Sequence, residues 1–185
     1  MRKVFLFNMV SLDGFFEGPD RNINWHHVDA EFNEFAIHQL DETDALLFGR
    51  VTYQLMASYW PTLFAREDDP IVAGKMNSLP KFVFSRTLDK VEWENSSLVQ
   101  GDIAQAVSRL KQQPGQDLAL FGSGVLAASL TRMGLIDEFR MMVNPVALGN
   151  GRRLFQDLSE PLKLNLIRTR VFASGNVLLV YQPEK

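Results

Sequence analysis

Short, continuously apolar runs alternate along the chain with stretches whose apolar positions recur every three or four residues. The first kind marks a strand buried on both faces, the second a helix with one face in the core. Residues 2–9 read as a first buried strand. A loop carrying Gly14, Gly18, Pro19 and Asp20 follows. Asp29 opens a helix with Phe32, Phe35, Ala36 and Leu40 on one face. Ala45 to Phe48 is the next buried strand. Gly49 then starts a helix with Val51, Leu55 and Met56 inward, ending at Trp60-Pro61. Asp69-Pro70 starts another, to about Leu79. Phe82 to Phe84 and Leu98-Val99 are short strands. Asp102 caps a helix that ends near Pro114-Gly115. Leu118 to Phe121 is a strand, and Ser123 begins a helix that stops at Gly134.

This alternation predicts an α/β fold of three layers, a mostly parallel sheet with helices on both faces. The end of the chain changes character. Phe139 to Val143 is a strand, and Leu162 to Phe172 and Val177 to Tyr181 flank Ala-Ser-Gly-Asn, a hairpin signal. An antiparallel C-terminal hairpin is therefore expected at the sheet edge. With 185 residues and no repeat or linker, the chain reads as a single domain, 1–185.

Composition narrows the function classes. Hydrophobic residues are 46% and charged residues 22%, the balance of a chain with a large core. A formal net charge of -3 argues against broad nucleic-acid or anionic-membrane binding. No stretch is long enough to span a membrane. The two basic residues and apolar run at the N-terminus resemble a signal peptide, but the run ends too early and no cleavage pattern follows. A cytoplasmic location is expected. Cysteine is absent, which removes disulfides, thiolate metal sites and cysteine nucleophiles. His26, His27 and His38 lack metal-ligand spacing, so no metal is expected. The run Glu67-Asp68-Asp69 reads as a solvated loop before a helix.

Three segments share one grammar: buried strand, small turn, helix or polar turn. In Phe121-Gly122-Ser123-Gly124-Val125 a bare backbone at a helix start suits a phosphate, although the glycines could equally serve a plain tight turn. A Rossmann reading fails, because Asp137 and Glu138 fall at the start of the next strand and not its end. In Phe48-Gly49-Arg50-Val51-Thr52, arginine sits in the first helical turn, where the helix dipole repels it unless an anion lies between. Phe84-Ser85-Arg86-Thr87 ends a third strand in the same way. Three such turns at the carboxyl edge of a sheet favour a ligand with several phosphates.

With S-L-D-G at 11–14, F-G-R-V-T-Y at 48–53, S-R at 85–86, F-G-S-G at 121–124, I-D-E-F at 136–139 and N-P-V-A-L-G-N-G-R-R-L-F at 144–155, the chain resembles the dihydrofolate reductase-like superfamily. The branch it most resembles is the C-terminal reductase domain of bifunctional riboflavin biosynthesis proteins. The resemblance implies that fold and NADPH as cofactor. Gly49, Arg50, Thr52, Ser85 and Arg86 would surround the adenosine 2′-phosphate and pyrophosphate. Gly122, Ser123, Gly124 and Val125 would bear on the pyrophosphate and nicotinamide ribose. It implies an activity most like 5-amino-6-(5-phosphoribosylamino)uracil reductase, with a dihydrofolate or pterin reductase and a non-catalytic NADPH-binding dimeric module as alternatives.

On the substrate side, the loop leaving the first strand offers Asn8, Ser11 and Asp13, and Trp25, Trp60 and Phe16 are candidates to stack on a flat small-molecule substrate, although aromatic residues more often serve the core. Asp13 is the first candidate for the proton donor. Glu34 is the second, since related pterin reductases keep an acid on the first helix, though neither Glu31 nor Glu34 falls at an obvious match. No basic residue matches the ribosyl-phosphate grip of the riboflavin-pathway enzymes. A homodimer is expected, through the apolar C-terminal edge.

Overall fold

The computed structural model describes residues 1–155, 158 and 160–184. Among them, the chain forms β1 (Val4–Ser11), β2 (Phe15–Glu17), α1 (Ala30–Asp41), β3 (Thr43–Gly49), α2 (Arg50–Tyr59), α3 (Leu63–Asp68), α4 (Pro70–Ser78), β4 (Lys81–Phe84) and β5 (Ser96–Val99). Then come α5 (Ile103–Gln112), β6 (Asp117–Phe121), α6 (Gly124–Arg132), β7 (Glu138–Asn144), β8 (Arg152–Arg153), β9 (Leu164–Val171) and β10 (Val177–Pro183).

Eight strands form one sheet in the order β5-β4-β3-β6-β1-β7-β10-β9. The strands from β5 to β7 run parallel; β10 pairs antiparallel with β7 and with β9. The period-2 rule sorts β1 across the two faces. Val4, Leu6 and Val10 pack with Val107 and Leu110 of α5 and Leu126 and Leu130 of α6. Phe5 packs on the opposite face with Leu40 of α1, Tyr53 of α2 and Val72 and Met76 of α4. The predicted three-layer α/β architecture and antiparallel hairpin are both present. Gly175, at φ +88, turns the hairpin, and Phe172 N–H donates to the Asn176 carbonyl at 2.9 Å.

Several expectations change. Residues 15–17, read as loop, form β2, which pairs with β8 as a separate two-stranded ribbon. Its three residues are too few to show a period. Leu55 was expected inward but is 48% exposed. Tyr53 takes the inward position instead, because its hydroxyl accepts the backbone N–H groups of Glu92 and Trp93, both at 3.0 Å. Glu67 and Asp68 are not loop but the last turn of α3, and Asp69 caps α4 by accepting Val72 N–H at 3.1 Å. Of the three hairpin-region strands, only β9 is an edge; β7 and β10 lie inside the sheet.

Candidate cofactor and substrate site

Strands β3 and β6 are neighbours, yet the helices that follow them leave to opposite faces, α2 toward the Phe5 side and α6 toward the Leu6 side. Their carboxyl ends thus border a crevice, the place where open α/β sheets bind ligands. The N-termini of α2 and α6 both open onto it. Two hydrogen bonds lace them together: Gly49 N–H donates to Ser123 Oγ at 2.8 Å, and Ser123 N–H donates to Thr52 Oγ1 at 2.9 Å.

The capping pattern sets these two helices apart. Asp29, Thr62, Asp69 and Asp102 each cap the helix they precede by accepting a backbone N–H. Neither Gly49 nor Ser123 caps its helix through a side chain. A cap is worth about 1 kcal/mol. Two facing helix starts that forgo it leave their positive dipole ends unneutralised by a capping side chain, an arrangement that suits an anion.

Gly49 pairs with Phe84, so Arg50 and Ser85 leave adjacent strands side by side. The Arg50 guanidinium is exposed and, among the described residues, touches only Gln54, at 3.3 Å. Arg86 is exposed as well, with no partner among the described residues. Ser85 Oγ accepts the N–H groups of Thr87 and Leu88, both at 3.1 Å, and so shapes the turn that presents Arg86.

At the β6 end, Gly122 and Ser123 are both left-handed, at φ +58 and +59. A side chain at Gly122 would lie 3.3 Å from Thr52, so this glycine is required by both backbone and space. Gly124 is different. Its bare backbone was read as room for a phosphate, but a Cβ there would stand 2.6 Å from Phe16 Cζ. The space belongs to the β2 ribbon, which seats Phe16 on the start of α6. Val125 has an exposed side chain.

On the substrate side, Asn8 is 4% exposed and its Nδ2 has no partner among the described residues. An unpaired buried donor is costly, about 1–3 kcal/mol, unless a ligand completes it. On the other face of β1 lies a group of phenylalanines that the sequence reading did not single out as a site. Phe7 meets Phe121 edge-on at 6.1 Å, and Phe32 and Phe35 of α1 at 6.4 and 5.7 Å. Phe7, Phe32 and Phe121 are only partly buried. Phe121 ends β6 and pairs with Phe7 in the middle of β1, a contact between distant segments that sequence spacing does not show.

Three residues expected at the substrate have other tasks. Ser11 is 1% exposed; its hydroxyl donates to Asp13 at 2.6 Å and accepts Phe15 N–H at 3.0 Å. Asp13 takes the N–H groups of Leu148 and Gly149, at 3.0 and 2.7 Å. These bonds, the Ser11 hydroxyl first and then Gly149 and Leu148, lower its pKa to about 2. Asp13 is an ionised anchor for the 144–155 segment and not a proton donor. The Trp25 indole N–H is spent on the Asn22 carbonyl at 3.0 Å, and its ring meets His26 edge-on at 4.4 Å. Glu34 lies exposed on α1, without a hydrogen-bond partner among the described residues. Its neighbour Glu31 is held by Arg170 at 2.9 Å and Ala173 N–H at 2.8 Å. Of the two acid candidates, Asp13 is committed to the 148–149 backbone, and Glu34 has no contact among the described residues that fixes its orientation.

The anchored segment folds back over the β1 loop. Arg153 Nη1 donates to the Asp13 carbonyl at 3.1 Å and lies over Phe15, while Arg152 pairs with Glu17 at 2.9 Å. Gly151 permits the approach, since a Cβ there would meet the Glu17 carbonyl oxygen at 2.3 Å.

The architecture is that of the dihydrofolate reductase-like proteins. The dihydrofolate reductase of Enterococcus faecalis, solved with NADP(H), superposes with a TM-score of 0.65 at 11% identity, covering 99% of this chain and 97% of that one. Within that class, the chain belongs to the RibD C-terminal domain family, whose pattern it matches over residues 2–178, a family of riboflavin-pathway reductases. The Bacillus subtilis (strain 168) protein YyaP, itself described as uncharacterized, is 34% identical over 186 residues, covering 97% of this chain and 94% of its own. A protein of Shewanella sp. PV-4 provisionally assigned to riboflavin biosynthesis gives a TM-score of 0.76 at 24% identity, over 99% of both chains. Among the described residues, no helix is long and apolar enough to cross a membrane.

Proposed function

We propose that this protein is an NADPH-dependent reductase that delivers hydride to a small nitrogen heterocycle or to its open-chain ribosylamino form, most like 5-amino-6-(5-phosphoribosylamino)uracil reductase. The observation that carries this is the pair of uncapped helix starts opening on one crevice, flanked by two arginine side chains that have no acidic partner among the described residues. Thr52, Gly124 and Val125 offer the pyrophosphate their backbone N–H groups, while Gly49, Gly122 and Ser123, whose N–H groups are bonded within the protein, set the turn geometry that presents them. Arg50 and Arg86, with Ser85 shaping the turn, grip the 2′-phosphate, where planar guanidinium forks fit best. Asn8 Nδ2 supplies a donor to the nicotinamide end, and Phe7, Phe32 and Phe121 form an apolar wall for the substrate ring. The bound cofactor would supply hydride, so the chain needs no nucleophile of its own. The protein positions the two rings and excludes water; with Asp13 committed to the 148–149 backbone and Glu34 not fixed in orientation, the proton comes from solvent.

That same lack of a positioned acid supports a second reading, a binding module without turnover. Loss of reduced-nicotinamide absorbance with a panel of pyrimidines, pterins and their ribosylamino precursors separates the two. Turnover of any one supports the enzyme; tight NADPH binding with no turnover across the panel supports the module. We also propose a homodimer through β9, whose Leu166, Ile167 and Val171 are exposed on an unpaired edge. Sedimentation showing only the monomer at micromolar concentration would contradict it.

A further inference from the structure

A second cavity, of about 250 Å³, lies away from the crevice, between the C-terminal half of α1 and the β7-β10-β9 part of the sheet. Its polar lining is unusually cationic: Arg140, Arg168, Arg170 and His38, with Gln39 and Glu42. The sheet register explains how the arginines converge. Val180 of β10 pairs with Arg140 on one side and Arg168 on the other. Their Cα atoms are thus two strand spacings apart, roughly 10 Å, on the same face. Arg170 follows Arg168 by two residues and shares that face.

The charges on this face are unequally satisfied. Arg170 is paired with Glu31 at 2.9 Å and lies over Phe172. Arg140 is only 6% exposed, its Nε bonded to Glu138 at 2.6 Å and its carbon lying 3.8 Å from the Phe5 ring centroid. The outer edge of its guanidinium is loosely held: Nη1 reaches Gln39 at 3.4 Å, and Nη2 is 3.7 Å from Glu42. Charge-assisted bonds settle at about 2.7–2.9 Å when well made. The Glu42 side chain is 66% exposed and can leave for solvent without a desolvation cost. Arg168 and His38 have no partner among the described residues.

We propose that this cavity is a second binding site, for a small dianion of the phosphate class. The anion takes the two Nη groups of Arg140 from below and the Arg168 guanidinium from the edge strand, displacing Glu42. A buried fork with its bidentate edge under-used is the arrangement that phosphate or a dicarboxylate completes. The cavity is too small for a nucleotide, so the occupant differs from that of the crevice. Because Phe35 lines the cavity and also touches Phe7, an anion here bears on the helix that walls the candidate substrate site.

The test is a thermal melt of the whole protein in inorganic phosphate against chloride at matched ionic strength, with a malonate arm to distinguish phosphate from dicarboxylate. Phosphate should raise the melting temperature in a saturable way, and malonate less. Arg168→Gln, an exposed position, should fold normally and weaken the apparent phosphate affinity about tenfold or more. The double variant Arg50→Gln/Arg86→Gln should keep the full shift, which separates this site from the crevice. A shift no larger than with chloride overturns the proposal, as does a larger shift with malonate. A shift that survives Arg168→Gln but disappears in the double variant also overturns it and assigns the phosphate to the crevice.

Discussion

The Phe16–Gly124 contact makes a prediction whose sign reverses with background. Gly124 starts α6 with an ordinary negative φ, so alanine suits its backbone. Taken alone, Gly124→Ala would stabilise by about 0.4–1 kcal/mol, by narrowing the unfolded ensemble. The new methyl, however, would stand 2.6 Å from Cζ and 3.0 Å from Cε1 of Phe16. These are ring atoms, and the ring is packed among Leu120, Leu126 and Ala127 in the core. Overpacking of this kind costs about 1–3 kcal/mol. The net effect is a loss of about 1 kcal/mol. In a Phe16→Ala background the clash is gone, and the same Gly124→Ala should gain about 0.4–1 kcal/mol. Urea unfolding of the four proteins, with unchanged m-values, measures the coupling directly, and it should equal the clash. Equal effects of Gly124→Ala in both backgrounds would refute the reasoning and return the glycine to the ligand.

The acid limb of stability should report on His26. Burial lowers its pKa to about 4, against a weaker opposing effect from the Phe16 carbonyl. The unfolded chain takes up a proton near pH 6.5 that the folded protein refuses until about 4, so stability falls as pH drops through that window. His26→Gln should flatten the fall by roughly 2–3 kcal/mol in urea titrations at successive pH values. Asp13 acts lower: its pKa is depressed, so the clamp on Leu148 and Gly149 persists above the ordinary value of 3.8 and is lost toward about 2. Asp13→Asn should therefore speed proteolysis within 144–155 at neutral pH while leaving NADPH affinity nearly unchanged. Lys81, fully buried, donates to the carbonyls of Asn77, Leu79 and Glu94 at 2.8–3.0 Å. Lys81→Met strands those acceptors and should cost about 1–3 kcal/mol by urea unfolding.

Much of this fold was legible because its signals are local. The aspartate caps at 29, 69 and 102 lie where the sequence placed them. The buried strands were readable as short apolar runs. What escaped depends on partners distant in sequence. The β2–β8 ribbon exists because Arg152 and Arg153 return to residues 15–17. Leu55 turned outward because Tyr53 found backbone donors about forty residues away. Asp13 looked like a free loop carboxylate until the 148–149 backbone closed on it. The turns at the ends of β3 and β6 were visible as strand-glycine-helix grammar, but whether a glycine there leaves room for a ligand or for a neighbour's ring is a matter of space. Gly122 and Gly124 answer that question differently.

The central claim is that the crevice between β3 and β6 holds a nicotinamide cofactor by its extra phosphate. Calorimetric titration of the protein with NADPH and with NADH, in a buffer free of phosphate, tests it most directly. Each charge-assisted contact from Arg50 or Arg86 is worth about 1.5–3 kcal/mol, so a single contact is worth about tenfold or more. NADPH should bind at least tenfold more tightly than NADH, and Arg50→Gln/Arg86→Gln should remove that preference while leaving NADH binding in place. Equal affinity for the two cofactors, or a preference that survives the double variant, would contradict the account.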